Sequence, residues 1–118
     1  MRKIQDIELG GKNYTVKINN RTIAMAEEQL GGKSVVKILQ DGLGMQALHV
    51  LLWCGIRNFD RKIKLNDVYD IVEKETDENP ETYNKLMEMI VGMVLGALGI
   101  ETEEDETGNV KESTFEDN

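Results

Sequence analysis

Residues 4–18 read IQDIELGGKNYTVKI, and this stretch decides the fold class of the chain. In both halves apolar and polar residues alternate, as they do in a strand whose side chains point to opposite faces. The apolar residues that share a face are Ile7 and Leu9 in the first half and Tyr14, Val16 and Ile18 in the second. Gly10 lies between the halves with Gly11, and glycine readily adopts the positive φ of a hairpin turn. The pattern predicts a β-hairpin with strands over residues 3–9 and 13–18.

Helix signals fill the chain after the hairpin. An isolated hairpin is only marginally stable, so we expect it to pack against these helices. The residues at which helices can begin are Asn19 or Asn20, Ser34, Gly44, Asn66 or Asp67, and Asn79 followed by Pro80. Asn, Ser and Asp accept hydrogen bonds from the free N–H groups of a first helical turn, and proline is favoured at the first helical position. We predict a mainly helical α+β domain over residues 1–100, with about five helices after the N-terminal hairpin.

The central helix is predicted over residues 44–59. Its apolar residues recur at steps of three and four, at Met45, Leu48, Leu52, Ile56 and Phe59. Leu51 and Trp53 widen this stripe, so that most of the helix circumference is apolar. We therefore expect little of this helix to face water.

The last helix is almost wholly apolar from residue 86, where the chain reads LMEMIVGMVLGALGI. These fifteen residues fall short of the roughly 20 that a bilayer span needs, so we predict no membrane helix. The stripe fits packing in the core, and it also fits contact with another protein, because methionine adapts to varied partners and glycines four residues apart admit a second backbone. The helix has more apolar faces than a small domain readily covers, which favours self-association or client binding. The residues assigned to this contact are Leu86, Met89, Gly92, Met93 and Gly96.

Negative charge is concentrated at the C-terminus. The 118 residues carry 22 acidic and 14 basic side chains, a formal net charge of -8, and residues 101–118 hold eight of the acids and one base. A segment with so few apolar groups cannot offset the entropy of ordering, so we predict a disordered acidic tail. The tail either keeps the protein in solution or docks on a basic groove through Glu103, Glu104, Asp105 and Phe115. Nucleic-acid binding is not expected, because it needs clustered Lys and Arg.

Few residues carry the chemistry of a catalytic or metal site. With one cysteine and one histidine, the chain can form neither an internal disulfide nor the usual four-ligand Cys/His zinc site. His49 and Cys54 are five residues apart, about 140° around a helix axis, so they cannot pair along that helix. The glycine pair at residues 31–34, GGKS, lacks the spacing of a phosphate-binding loop. We predict no catalysis and no cofactor, and the absence of an apolar run behind the first residues predicts a cytoplasmic protein.

Four features of residues 3–60 follow one another in an order known from one protein family. They are GGKNYTVKI at residues 10–18, Asn20-Arg21-Thr22-Ile23 leading into the helix with Glu27 and Glu28, the glycine break at residues 31–34, and HVLLWCGIRN at residues 49–58. This order resembles the tail assembly chaperones of long-tailed (siphovirus) bacteriophages and of prophages in Gram-positive bacteria. The last helix and the acidic C-terminus resemble that family in character alone.

The resemblance implies a role in viral morphogenesis. Such a chaperone binds the long tape measure protein in the cytoplasm of the bacterial host, helps to recruit tail tube subunits, and is absent from the mature virion. The last helix would then contact another copy or the tape measure protein, and the tail from Glu101 would lie beside the tube-protein contact.

Two other classes of function remain open at this point. The first is an acidic regulatory protein or nucleic-acid mimic that docks on a basic partner through its tail. The second is a small enzyme, which the lack of a nucleophile and base pair or of a metal-binding cluster disfavours.

Overall fold

The structure is a computed structural model that describes residues 4–100 and the backbone of residues 103–104 and 110–111. In chain order the elements are β1 (Ile4–Leu9), β2 (Lys12–Lys17), α1 (Asn20–Gln29), α2 (Val35–Asp41), α3 (Met45–Arg57), α4 (Leu65–Glu78), α5 (Thr82–Ala97), β3 (Glu103–Glu104) and β4 (Val110–Lys111). The predicted fold class, a hairpin followed by five helices, is confirmed. Most of the predicted disordered tail lies outside the described residues, and its described part is β3 paired antiparallel with β4.

The hairpin forms in the predicted place and with the predicted faces. β1 pairs antiparallel with β2, with Ile4 opposite Lys17 and Leu9 opposite Lys12, so β2 begins one residue earlier than the alternation predicts. The turn consists of two glycines, which both have the positive φ that favours the two-residue connection of twisted strands. Val16 and Ile18 are completely buried, so one face of the hairpin is part of the core.

Side-chain capping explains where α1 and α2 begin. The Asn19 side chain accepts from the Thr22 N–H at 2.9 Å, and the Ser34 hydroxyl accepts from the Lys37 N–H at 3.3 Å, as predicted for α1 and α2. The predicted starts of α4 and α5 are each wrong by one to three residues. Asp67 accepts from the Lys64 N–H and so lies inside the first turn of α4. Asn79 ends α4, and residues 80–81 form a turn before α5.

α3 is the centre of the core. It packs against β2, α1, α4 and α5, and its buried residues run around most of its circumference, as the wide apolar stripe predicts. Gly55 allows α3 to approach the hairpin closely, because a Cβ built there would lie 2.5 Å from Cγ1 of Val16. A larger residue at this position would push the helix away from the hairpin.

Asn58 joins the end of α3 to the hairpin and α1. Its side-chain amide donates to the Lys17 carbonyl oxygen at 2.7 Å and lies 3.2 Å from the Thr22 hydroxyl oxygen. Residues 4–58 are thus tied together by packing along α3 and by this polar contact at its end. No helix in the described part of the chain has the length and apolar character of a bilayer span.

Candidate functional site

The residues of α5 that the sequence assigns to a partner contact lie in the interior of the protomer. Leu86 and Met93 have no exposed surface, Gly92 is buried, Met89 is 9% exposed, and Gly96 is half-buried. The predicted exposed face is therefore wrong for the folded protomer. The physical reason is that α5 packs against both α3 and α4, so burial extends over several of its apolar faces. The predicted self-association loses the exposed helix face on which it depended.

The tail residues assigned to docking are only partly described. Glu103 and Glu104 form β3, while Asp105 and Phe115 lie outside the described residues. Docking of the tail on a basic groove stays a prediction.

Large apolar side chains reach the surface elsewhere. Within residues 4–100 the strongly exposed ones are Ile4, Met25, Met45 and Phe59. Single exposed apolar residues are common on proteins and need no function. Met45 is one of the residues that line a cavity, so part of its surface belongs to a concave site.

This cavity, which we call the tyrosine cavity, lies where α3, α4 and the first turn of α5 meet. It has a volume of about 260 Å³ and is lined by Met45, His49, Tyr69, Val72, Glu73, Thr76 and Tyr83. Met45 and His49 lie one helical turn apart on α3. The α4 residues of the lining, Tyr69 to Thr76, are spaced by three, one and three positions, which places them on one helix face. The cavity is thus a product of helix periodicity on two elements and of their packing distance.

The rings of His49 and Tyr69, which both line the tyrosine cavity, stack on each other. His49 is buried and stacks on Tyr69, with ring centroids 4.1 Å apart and planes inclined by 13°. Nδ1 of His49 lies 2.7 Å from the Met45 carbonyl oxygen. Because a carbonyl oxygen can only accept, Nδ1 must carry the hydrogen, and in the neutral ring Nε2 is left as an acceptor.

The single cysteine is not a reactive partner for this histidine. Burial raises the pKa of the Cys54 thiol to about 11, and the nearby Arg57 guanidinium offsets only part of that rise. The thiolate is the nucleophilic form of cysteine, so a thiol with this pKa is unreactive near neutral pH. Among the described residues no cluster of three or more His, Cys, Asp or Glu side chains could hold a metal ion.

The outer surface of α4 is strongly acidic. This helix carries six acidic residues and one lysine, and within residues 4–100 the one ion pair joins Lys37 to Asp41 on α2. Two of the carboxylates are engaged in backbone contacts, since Asp67 accepts from the Lys64 N–H and Glu75 accepts from the Gly10 N–H. The exposed carboxylates that remain are Asp70, Glu73, Asp77 and Glu78. Glu73 belongs to both features, because it lines the tyrosine cavity.

A second cavity lies between the hairpin and the connection from α3 to α4. It measures about 390 Å³, is wider open, and has both lysine and aspartate side chains on its walls. The mixture of charges gives it no clear preference for a ligand of either sign. The tyrosine cavity is therefore the better candidate for a binding site.

The tyrosine cavity is not among the sites predicted from the sequence. Tyr69, Glu73 and Thr76 fall on one helix face by their spacing, which is a signal that the sequence does contain. Tyr83 and His49 join them only through tertiary packing.

Comparison of the chain with protein-family models, with curated proteins and with solved structures finds no match in any of these three groups.

Proposed function

We propose that this chain is a phage tail assembly chaperone, a protein without catalytic activity that binds the tape measure protein and helps to recruit tail tube subunits. It acts in the cytoplasm of the bacterial host and does not enter the mature virion.

The observation that carries this proposal is the packed unit of hairpin, α1 and α3. The resemblance to the chaperone family covers roughly residues 3–60, and within that stretch β2 and α1 both pack along α3. Gly55 sets the close approach of α3 to Val16, and Asn58 ties the end of α3 to the hairpin and α1. The sequence features that resemble the family thus correspond to one structural unit rather than to scattered segments.

The client contact in this proposal lies at Met45 rather than on α5. A chaperone for a long helical client needs an accessible apolar surface, and the α5 side chains first assigned to that role are buried. Met45 is 54% exposed and borders the tyrosine cavity, so a client side chain can contact both at once.

Co-expression with the tape measure protein tests the proposal. The long coiled-coil protein that we expect to be encoded next to this gene is expressed alone, with the wild-type chain, and with the Met45→Glu variant. We expect the wild-type chain to keep this protein soluble and to co-purify with it, and Met45→Glu to recover at least fivefold less.

The matched control is Gln46→Glu, which adds the same charge at the next exposed position of α3. It should recover as much client as the wild type. If the wild-type chain neither solubilises nor retains the coiled-coil protein, the chaperone assignment fails. If Met45→Glu and Gln46→Glu behave alike, the assignment of the contact to Met45 fails.

The acidic surface of α4 favours a second candidate, an acidic regulatory protein or nucleic-acid mimic that docks on a basic partner. Together with the eight acids of residues 101–118, this helix gives the chain two segments rich in negative charge. Deleting residues 101–118 separates the two functions. A chaperone keeps its fold and at least part of its tape measure binding after the deletion, whereas a mimic that docks through its tail loses its basic partner.

A further inference from the structure

We propose that the tyrosine cavity binds the side chain of an arginine residue supplied by a partner protein. Such binding goes beyond the proposed client, because it requires only a partner segment that carries an exposed arginine.

The dimensions of the cavity suit one side chain. Pockets for drug-sized ligands begin near 300 Å³, and the tyrosine cavity, at about 260 Å³, is smaller. Its walls include the rings of Tyr69 and Tyr83, both half-buried, and the buried ring of His49. A planar guanidinium stacks well on such rings, and a tyrosine face attracts a cation.

Three of the hydrogen-bonding groups on the walls, those of Thr76, His49 and Glu73, favour a ligand that donates. The Thr76 hydroxyl already donates to the backbone, with the Val72 carbonyl oxygen at 2.9 Å, so its oxygen can only accept from a ligand. The neutral His49 ring can likewise only accept from a ligand, through Nε2, because its Nδ1 hydrogen is donated to the Met45 carbonyl oxygen. The ionised Glu73 carboxylate is an acceptor at the cavity wall. Arginine has five N–H donors and no acceptor, which matches this set of groups.

The surrounding charge has the sign that such a ligand requires. Glu73 is the charged carboxylate on the wall, and Asp70 and Asp77 are exposed on the same helix. The cavity residues contributed by α3 and α5 are Met45, His49 and Tyr83, none of which is a lysine or arginine. An anionic ligand would be repelled by these carboxylates, and a neutral one would gain a hydrogen bond to Glu73 but no attraction between opposite charges.

The difference between arginine and lysine follows from geometry. A guanidinium can stack on a ring with its plane and still donate two parallel hydrogen bonds to one carboxylate. An ammonium is a compact, strongly hydrated charge that can satisfy only one of these contacts well. We therefore expect the cavity to prefer arginine.

The test is a titration of the full chain, labelled with ¹⁵N, by NMR. The probe is Nα-acetyl-arginine amide, whose only charge is the guanidinium, and the neutral isostere Nα-acetyl-citrulline amide is the comparison ligand. We expect the arginine probe to shift the signals of His49, Thr76 and Tyr83 in a saturable way, and the citrulline probe to leave them in place. Nα-acetyl-lysine amide should bind more weakly than the arginine probe.

Two variants with the same change in charge make the test specific. Glu73→Gln removes the carboxylate at the cavity wall and should weaken binding of the arginine probe at least fivefold. Glu88→Gln removes an exposed carboxylate of α5 that does not line the cavity and should change affinity less than twofold. Both positions are exposed, so both variants should keep the wild-type spectrum elsewhere. Equal shifts from the citrulline probe, tighter binding of the lysine probe, the absence of saturable shifts, or unchanged affinity in Glu73→Gln would each overturn the proposal.

Discussion

Gly55 lies at a close contact between α3 and the hairpin. It lies in the last turns of α3, where a Cβ would come within 2.5 Å of Cγ1 of the completely buried Val16. The Lys17 carbonyl oxygen and the Ile18 side chain lie 3.4 and 3.5 Å from that position, at ordinary van der Waals distance, so the clash comes from Val16. The hairpin and α3 can meet here because glycine has no side chain.

Gly55→Ala should therefore destabilise the protein, although alanine is the better helix former. Overpacking a core typically costs about 1–3 kcal/mol, whereas replacing glycine by alanine inside a helix gains about 1 kcal/mol. We expect a net loss of up to about 2 kcal/mol in the free energy of unfolding, measured by urea denaturation.

The control for this prediction is the same substitution in a Val16→Ala background. Once the Val16 methyl groups are gone, the clash is removed and the helix-propensity gain remains, so Gly55→Ala should become neutral or stabilising. A loss of the same size in both backgrounds would show that the contact with Val16 is not the cause.

Residues whose role is local can be predicted from the sequence. Asn19 and Ser34 cap the helices they were predicted to cap, because a cap needs only the N–H groups two or three residues further along. Gly55 carries no such local signal. Its role depends on Val16, 39 positions earlier in the chain, and is visible only when β2 and α3 are placed together.

At the scale of elements, Glu75 links the hairpin to α4. Its carboxylate accepts from the Gly10 N–H at 2.7 Å and from the Asn79 side-chain amide at 2.8 Å. The hydrogen bond from Gly10, and to a lesser extent the one from Asn79, lowers the pKa of Glu75 from its ordinary value. The ionised carboxylate is thus favoured in the folded chain, and the turn of the hairpin is held against the C-terminal half of α4.

The lowered pKa gives this link a defined pH dependence. A carboxyl group whose pKa is lower in the folded than in the unfolded chain stabilises the fold. This stabilisation is fully present above the pKa of the group in the unfolded chain, and it is lost as the pH falls through its pKa in the folded chain. Glu75→Gln should therefore lower the urea midpoint at pH 7, and the gap to the wild type should shrink as the pH approaches 3. Glu78→Gln, an exposed change on the same helix, is the control and should give the same gap at both pH values. A gap for Glu75→Gln that is independent of pH would contradict the assigned role.

The boundaries and contacts of elements are harder to predict than their existence. The sequence contains two residues at the start of α4 that can cap, Asn66 and Asp67, but Asp67 acts from inside the first turn and the helix begins at Leu65. Asn79 and Pro80 look like a helix start, yet the Asn79 side chain bonds backward to Glu75. In both cases competing local hydrogen bonds decide the boundary, and the residue types alone do not rank them.

At the scale of the whole molecule, an apolar sequence pattern indicates that a helix face is buried, but not whether the protein's own core or a partner protein buries it. The stripe of α5 is equally suited to a partner protein and to the protein's own core, because both remove the same side chains from water. The structure assigns it to the core, through contacts with α3 and α4. The tyrosine cavity escaped the sequence analysis for the related reason that its walls come from three elements whose separation no periodicity specifies.

The burial of α5 leads to a prediction that separates the two interpretations of its methionines. Met93 has no exposed surface, so Met93→Ala should leave a cavity and lower the free energy of unfolding by about 2–5 kcal/mol. Met87 on the same helix is half-buried, and Met87→Ala should cost distinctly less in the same urea titration. If the larger loss leaves too little folded protein, Met93→Leu, which nearly conserves volume, should recover most of the stability, at a cost of less than about 1.5 kcal/mol. Were α5 instead a client surface, Met93→Ala would unfold at the wild-type urea midpoint and lose only its binding of the tape measure protein, and the core assignment of this helix would then be wrong.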